Sequence, residues 1–111
     1  MRINFPNTHQ VYLHDTPNKS LFGTDVRFHS SGCIRVQNVR EFVRWLLTDT
    51  RGWDRTAINE TIKSGERIDA KMSRAVPLYL TYVTAWGTPT GAVHFRDDIY
   101  DRDGLGPVAL Q

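Results

Sequence analysis

The chain has 111 residues, 40% of them hydrophobic and 23% charged, with one cysteine and a formal net charge of +2. That length suits one domain, and the apolar content excludes a disordered chain. The lone cysteine excludes an internal disulfide or a cysteine-rich zinc site, no apolar run is long enough to span a membrane, and interleaved charges without a basic run argue against a nucleic-acid partner.

The start, Met1 to Pro6, lacks the apolar core of a signal peptide. Arg2-Ile3-Asn4-Phe5 reads as a brief strand ended by Pro6. In residues 11–14, Val11 and Leu13 alternate with Tyr12 and His14, the period of a strand with two different faces. Asp15-Thr16-Pro17-Asn18 breaks it, because Pro and Asn favour turns. Residues 19–31 read as a loop, and Cys33-Ile34-Arg35-Val36 as an extended exit from it. A helix is then predicted: Asn38 and Glu41 have capping-box spacing, and Val39, Phe42, Val43, Leu46 and Leu47 form one apolar stripe, with Arg40, Glu41 and Arg44 opposite. A second helix is predicted from Asp54 as cap to Ser64, with Gly65 as its stop. Residues 75–86 read as a long strand, Gly87 to Gly91 as a turn, and Ala92 to Phe95 as the returning strand of a hairpin. The tail, 97–111, is rich in Asp and Gly and is expected to be loose. Trp45 and Trp86 are expected to pack in a core, whereas Trp53 is expected to be partly exposed.

Cys33 concentrates the chemical interest. A lone cysteine is most often a buried, inert residue. Here it follows the small polar run Ser30-Ser31-Gly32, which sets it on a loop; Gly32 lets the backbone approach a substrate closely, and Arg35 shares a face with Cys33 in an extended segment. A cation there favours the thiolate and can hold a carboxylate. A free thiol is only a few per cent thiolate near neutral pH, so a nucleophilic cysteine needs a base. His14, His29 and His94 are the candidates; spacing alone does not choose among them. A zinc site from Cys33, His14 and His29 is a weaker alternative, since no metal-binding spacing supports it.

Taken together, Tyr-Leu-His-Asp-Thr-Pro at 12–17, Ser-Leu-Phe at 20–22 and Ser-Ser-Gly-Cys-Ile-Arg-Val at 30–36 resemble the active-site half of an L,D-transpeptidase catalytic domain of the YkuD type, with the YcbB-like branch most similar. The family pattern is a histidine, a variable gap, then Ser/Thr-(His or Ser)-Gly-Cys, an apolar residue and usually arginine. Cys33 stands nineteen positions after His14. The helix at 39–47 and the segments 76–82 and 95–100 also resemble the family, so nearly the whole chain is covered.

The resemblance implies a fold that is mainly β with helices (α+β), a partial YkuD-type β-sandwich without its N-terminal strands, with residues 1–111 as the C-terminal, active-site-bearing part. It implies Cys33 as nucleophile, His14 as general base, and backbone N–H groups of Gly32 and Cys33 as the oxyanion hole. Tyr12 is expected to line the substrate groove, Arg35 to support the site or hold a carboxylate, and Ser31 to occupy the slot of the family's variant histidine, which ranks His29 below His14. The implied reaction is 3→3 cross-linking of peptidoglycan stem peptides through a thioester, with no metal or organic cofactor, in the periplasm or cell envelope, and with carbapenems as inhibitors. Hydrolysis by the same thiol, as an L,D-carboxypeptidase or endopeptidase, is one alternative; a non-catalytic remnant that binds cell wall or a partner is another. A sandwich short of strands is expected to be unstable, oligomeric or inactive alone.

Overall fold

Elementary pairing rules explain why the strands are shorter than their sequence pattern. A computed structural model describes residues 1–104, so the end of the expected tail lies outside the described residues. The chain divides into two compact units, Met1–Val76 and a second that begins at Pro77. In the first unit, β1 (Arg2–Ile3), β2 (Leu13–His14) and β3 (Ile34–Arg35) form one sheet in the order β1-β2-β3. β1 and β2 are antiparallel, with Arg2 opposite His14 and Ile3 opposite Leu13. β2 and β3 are parallel, with Leu13 opposite Ile34 and His14 opposite Arg35.

The ladder between β1 and β2 stops early because a side chain takes over. Asn7 Nδ2 donates to the carbonyls of Phe5 at 3.0 Å and Val11 at 2.8 Å, and Asn7 Oδ1 accepts from the N–H groups of His9 at 3.1 Å and Val11 at 3.0 Å. Pro6 has no N–H to offer a partner strand. Between β2 and β3 the expected loop contains one 3-10 helix, Lys19–Gly23.

Both helices form where predicted, by different caps. Helix α1 is Val39–Leu46, but Asn38 lies in the left-handed region at φ 53° and its side chain caps nothing. The expected capping box is therefore absent: Glu41 pairs with Arg44 instead. Arg44, expected on the solvent side, also donates to Asn59 Oδ1 at 2.8 Å and so ties α1 to α2. Helix α2 is Arg55–Ser64, and it begins as the sequence says, with Asp54 Oδ1 accepting from the Ala57 N–H at 2.8 Å. It ends at Gly65, whose φ of 70° is open to glycine at little cost.

The core of this unit is small. Leu13, Val39, Leu47 and Ile58 are its buried hydrophobic residues among those described. Full burial of such a side chain contributes about 1.5–3 kcal/mol. Beside them lies a cleft of about 770 Å³ lined by Ile3, Val43, Leu46, Trp53, Ile62 and Met72, with others, so Val43 and Leu46 of the α1 stripe stay half-buried.

In the second unit, β4 (Ala85–Gly87) and β5 (Val93–Phe95) form the expected hairpin, with Trp86 opposite His94. Gly91, at φ 85°, makes the turn, and Thr88 closes it by bonds to Ala92. The long strand expected over 75–86 does not form. Among the described residues its one continuation by backbone bonding is from the Arg96 N–H to the Thr84 carbonyl at 2.8 Å. Beyond Arg96 the partner side turns away, with Asp98 accepting from the Asp103 N–H at 2.8 Å. That bond, with others from neighbouring N–H groups, holds the Asp98 carboxyl below the ordinary aspartate value. Val76, Leu78 and Leu80 keep a strand's alternation with no partner strand among the described residues, and all are exposed.

The tryptophans correct a second expectation. Trp45 is 57% exposed and stacks on Phe42; Trp86 is 38% exposed and stacks on His94. Neither packs in a core. Two small sheets and two helices make the expected α+β arrangement. Among the described residues no helix is long and apolar enough to cross a membrane.

Replacing Asp54 by Ala is expected to cost helix α2 about 1 kcal/mol. Amide hydrogen exchange at Ala57 and Ile58 checks this: it should speed up in Asp54→Ala and stay near the parent rate in Asp54→Asn.

Candidate active site

Side-chain alternation sorts the three-stranded sheet into two faces. Ile3, Leu13 and Ile34 are level with one another and point to the core side, where Leu13 is 7% exposed. Arg2, His14 and Arg35 form the neighbouring row and point to the opposite face. One step back along β2, the Tyr12 carbonyl accepts from the Ile34 N–H at 3.0 Å, which sets Tyr12 alongside Cys33. By the same alternation both belong to the face that carries His14. His14 in β2 and Cys33, the residue just before β3, thus lie nineteen positions apart in sequence beside one ladder, whose strands are about 4.8 Å apart. Cys33 is free and half-buried.

His14 is held in one orientation. Its Nδ1 lies 2.5 Å from the Asp15 carbonyl oxygen. A carbonyl can only accept, so Nδ1 carries the proton and Nε2 keeps the lone pair, an assignment made from the partner. This is the tautomer a general base needs if its outward nitrogen is to take a proton. The Asp15 carboxylate is not the group that orients the ring: it pairs with Lys19 and accepts from the Thr16 N–H at 2.8 Å. Those partners, Lys19 first, hold the Asp15 carboxyl below the ordinary aspartate value. Tyr12 packs beside the imidazole with ring centroids 5.6 Å apart.

The loop before Cys33 is built on Ser30. Ser30 Oγ donates to the Cys33 carbonyl at 2.6 Å and accepts from the Gly32 N–H at 3.2 Å. The Gly32 N–H, expected to serve an oxyanion, is therefore held by a hydroxyl at the long end of the hydrogen-bond range. Gly32 is required by close approach: a Cβ there would lie 3.0 Å from Val11 Cγ1. Arg35 Nη1 donates to the His29 carbonyl at 2.9 Å, so this guanidinium braces the loop while its other N–H groups stay available. Ser31 is exposed.

His29 stands apart from this pair. His29 Nε2 turns into its own loop, 2.9 Å from the Val26 carbonyl oxygen and 3.4 Å from Thr24 Oγ1. Among the described residues no group of three His, Cys, Asp or Glu side chains is gathered as a metal site, which leaves the alternative trio of Cys33, His14 and His29 unassembled.

Two residues with no individual signal in the sequence join this site. Ser30 looked like one more small polar residue. Arg2 opens the brief strand read at residues 2–5 and carries no chemical signal there, yet its guanidinium carbon lies 4.0 Å from the centroid of the Tyr12 ring. Only the register of β1 against β2 could have found it.

This arrangement can present a thiol, an oriented imidazole and two arginines on one half-buried sheet face. The family model YkuD, the L,D-transpeptidase catalytic domain, matches residues 1–58. A curated protein of Haemophilus influenzae, "Putative L,D-transpeptidase", is 37% identical over 102 residues, which cover 92% of this chain. The chain spans about a fifth, 20%, of that protein's length.

The contact at Gly32 gives a direct test. Gly32→Ala is expected to cost about 1–3 kcal/mol by overpacking against Val11. Chemical denaturation of Gly32→Ala, Val11→Ala and the double variant should give a coupling that relieves most of this cost. Strict additivity would locate the conflict somewhere other than Val11.

Proposed function

The chain belongs to the YkuD family of L,D-transpeptidase catalytic domains, and from that premise we propose that it forms 3→3 cross-links between peptidoglycan stem peptides through a thioester on Cys33. The observation that carries this reading is the parallel register of β2 and β3, which sets His14, with its Nε2 free, on the face shared by Cys33.

In the proposed reaction, His14 Nε2 takes the thiol proton as Cys33 Sγ attacks the carbonyl of the third residue, a diamino acid, in a tetrapeptide stem. The C–S bond forms, the C–N bond breaks, and terminal D-alanine leaves with the proton that His14 returns to its nitrogen. The side-chain amine of a second stem's third residue then attacks the thioester, giving up a proton to His14. The new amide is the 3→3 link, and the thiol is regenerated. Backbone N–H groups of Cys33 and Gly32 stabilise the oxyanion; substrate carbonyl oxygen displaces Ser30 Oγ from the Gly32 N–H, a change made easy by the 3.2 Å length of that bond. Tyr12 lines the groove beside His14, Arg35 fixes the loop that bears the thiol, and Ser31 lies at the rim.

The reaction needs no metal or organic cofactor. We place it at the cell wall, in the envelope, on the YcbB-like branch that residues 12–17 and 30–36 resemble, and we take carbapenems as ligands of the same thiol. Water as acceptor would make the enzyme a carboxypeptidase or endopeptidase. The exposure of residues 23–32 favours that competing step, because it leaves the thioester open to solvent.

Intact-mass spectrometry after exposure to meropenem tests the thiol. One covalent adduct is expected, absent in Cys33→Ala and formed about a hundredfold more slowly in His14→Ala. An adduct that persists in Cys33→Ala, or a rate indifferent to His14, would reject the assignment. Analysis of products from tetrapeptide stems then separates cross-linking from hydrolysis.

A further inference from the structure

The geometry points to Arg2 as the binding group for the terminal carboxylate of the donor stem peptide, a role that rests on the thioester reading above. β1 pairs with β2 so that Arg2 lies opposite His14, and alternation puts it on the face that carries His14 and Cys33. Its side chain is held from two directions. Arg2 Nε donates to Asn4 Oδ1 at 2.7 Å, and the guanidinium carbon stands 4.0 Å from the Tyr12 ring centroid. Among the described residues neither Nη group has a hydrogen-bond acceptor and no carboxylate pairs with Arg2. A planar fork fixed at Nε and stacked on an aromatic ring is preorganised to take a carboxylate through its two Nη groups.

The span fits the chemistry. β1 and β3 are separated by one strand, so their backbones lie about 9–10 Å apart. The Arg2 guanidinium bridges part of that distance by leaning over Tyr12, which stands alongside Cys33. The leaving residue places its carboxylate one residue beyond the scissile carbonyl, a step of about 3.5 Å. A carbonyl over Cys33 therefore brings the next carboxylate toward Tyr12 and the fork of Arg2. Arg35 gives one Nη1 N–H to the His29 carbonyl, so of the two arginines on this face Arg2 is the one with both Nη groups uncommitted among the described residues. Arg2 would thus make the site select a donor that ends in a free carboxylate immediately after the scissile bond.

Calorimetric titration tests this without turnover. The Cys33→Ala chain is titrated with a stem tetrapeptide ending in a carboxylate and with the same peptide ending in a carboxamide. Amidation is expected to weaken binding about tenfold, as for the loss of one charge-assisted pair. In Cys33→Ala/Arg2→Gln the two peptides should bind within about twofold of each other, and Arg2→Lys should recover part of the preference. The proposal is overturned if Arg2→Gln weakens both peptides equally, which would make Arg2 a brace for Tyr12 only. It is equally overturned if the preference survives Arg2→Gln, or if the Cys33→Ala chain shows none. The thiol reading fails separately: a carboxylate preference that depends on Arg2, in a chain whose intact Cys33 takes no meropenem, would retain the subsite and reject the nucleophile.

Discussion

The thiol chemistry proposed for this chain depends on one short parallel ladder. The Ile34 N–H reaches the Tyr12 carbonyl at 3.0 Å and the Val36 N–H reaches the His14 carbonyl at 2.8 Å. These bonds fix the register that sets Leu13 against Ile34 and His14 against Arg35. A slip of one residue would carry Cys33 and Arg35 to the core face and Ile34 to the exposed one. The burial of Leu13 and the close fit of Gly32 against Val11 oppose that slip. Parallel strands need a crossover, and here it is an irregular loop with a single 3-10 turn rather than an α-helix. Its shape comes from small side chains bonding nearby backbone: Asp15 and Thr16 at its start, Ser30 at its end.

The same ladder explains how the chemistry is shared out. The sheet's core face is anchored by Leu13, one of the buried hydrophobic residues of the first unit. The opposite face is free to carry polar groups because nothing in that unit's buried core requires it. A base oriented by a main-chain carbonyl does not need a carboxylate partner, which leaves Asp15 to stabilise the turn that follows β2. Cys33 stands just before β3, so its side chain is positioned by a strand while its N–H group belongs to the loop. That division gives a fixed thiol beside an adjustable set of N–H donors.

What could be read in the sequence was local. Helix α2 was legible from Asp54 and Gly65 because a cap and a stop act within a few residues. The stripe of α1 was legible for the same reason, although Asn38 adopts a left-handed conformation and leaves the cap unmade. The hairpin at 85–95 was legible from its turn, but the strand before it was overextended, since alternation in 76–83 does not supply a partner. Pairing between distant strands is what the residues could not disclose. The approach of His14 to Cys33 entered through a family resemblance, and Arg2 was missed because its place depends on the β1–β2 register alone. Trp45 and Trp86 misled because a large aromatic next to an apolar stripe is buried only if something covers it.

The most direct measurement is capture of the acyl intermediate on its natural chemical class of donor. A rapid acid quench after mixing with tetrapeptide stem, followed by tryptic digestion, isolates the segment from Phe28 to Arg35, which holds the chain's single cysteine. The account predicts that this peptide gains the mass of the stem less its terminal D-alanine, in step with release of that D-alanine. Release of D-alanine with the Phe28 to Arg35 peptide unmodified, or acylation at another peptide, would contradict it.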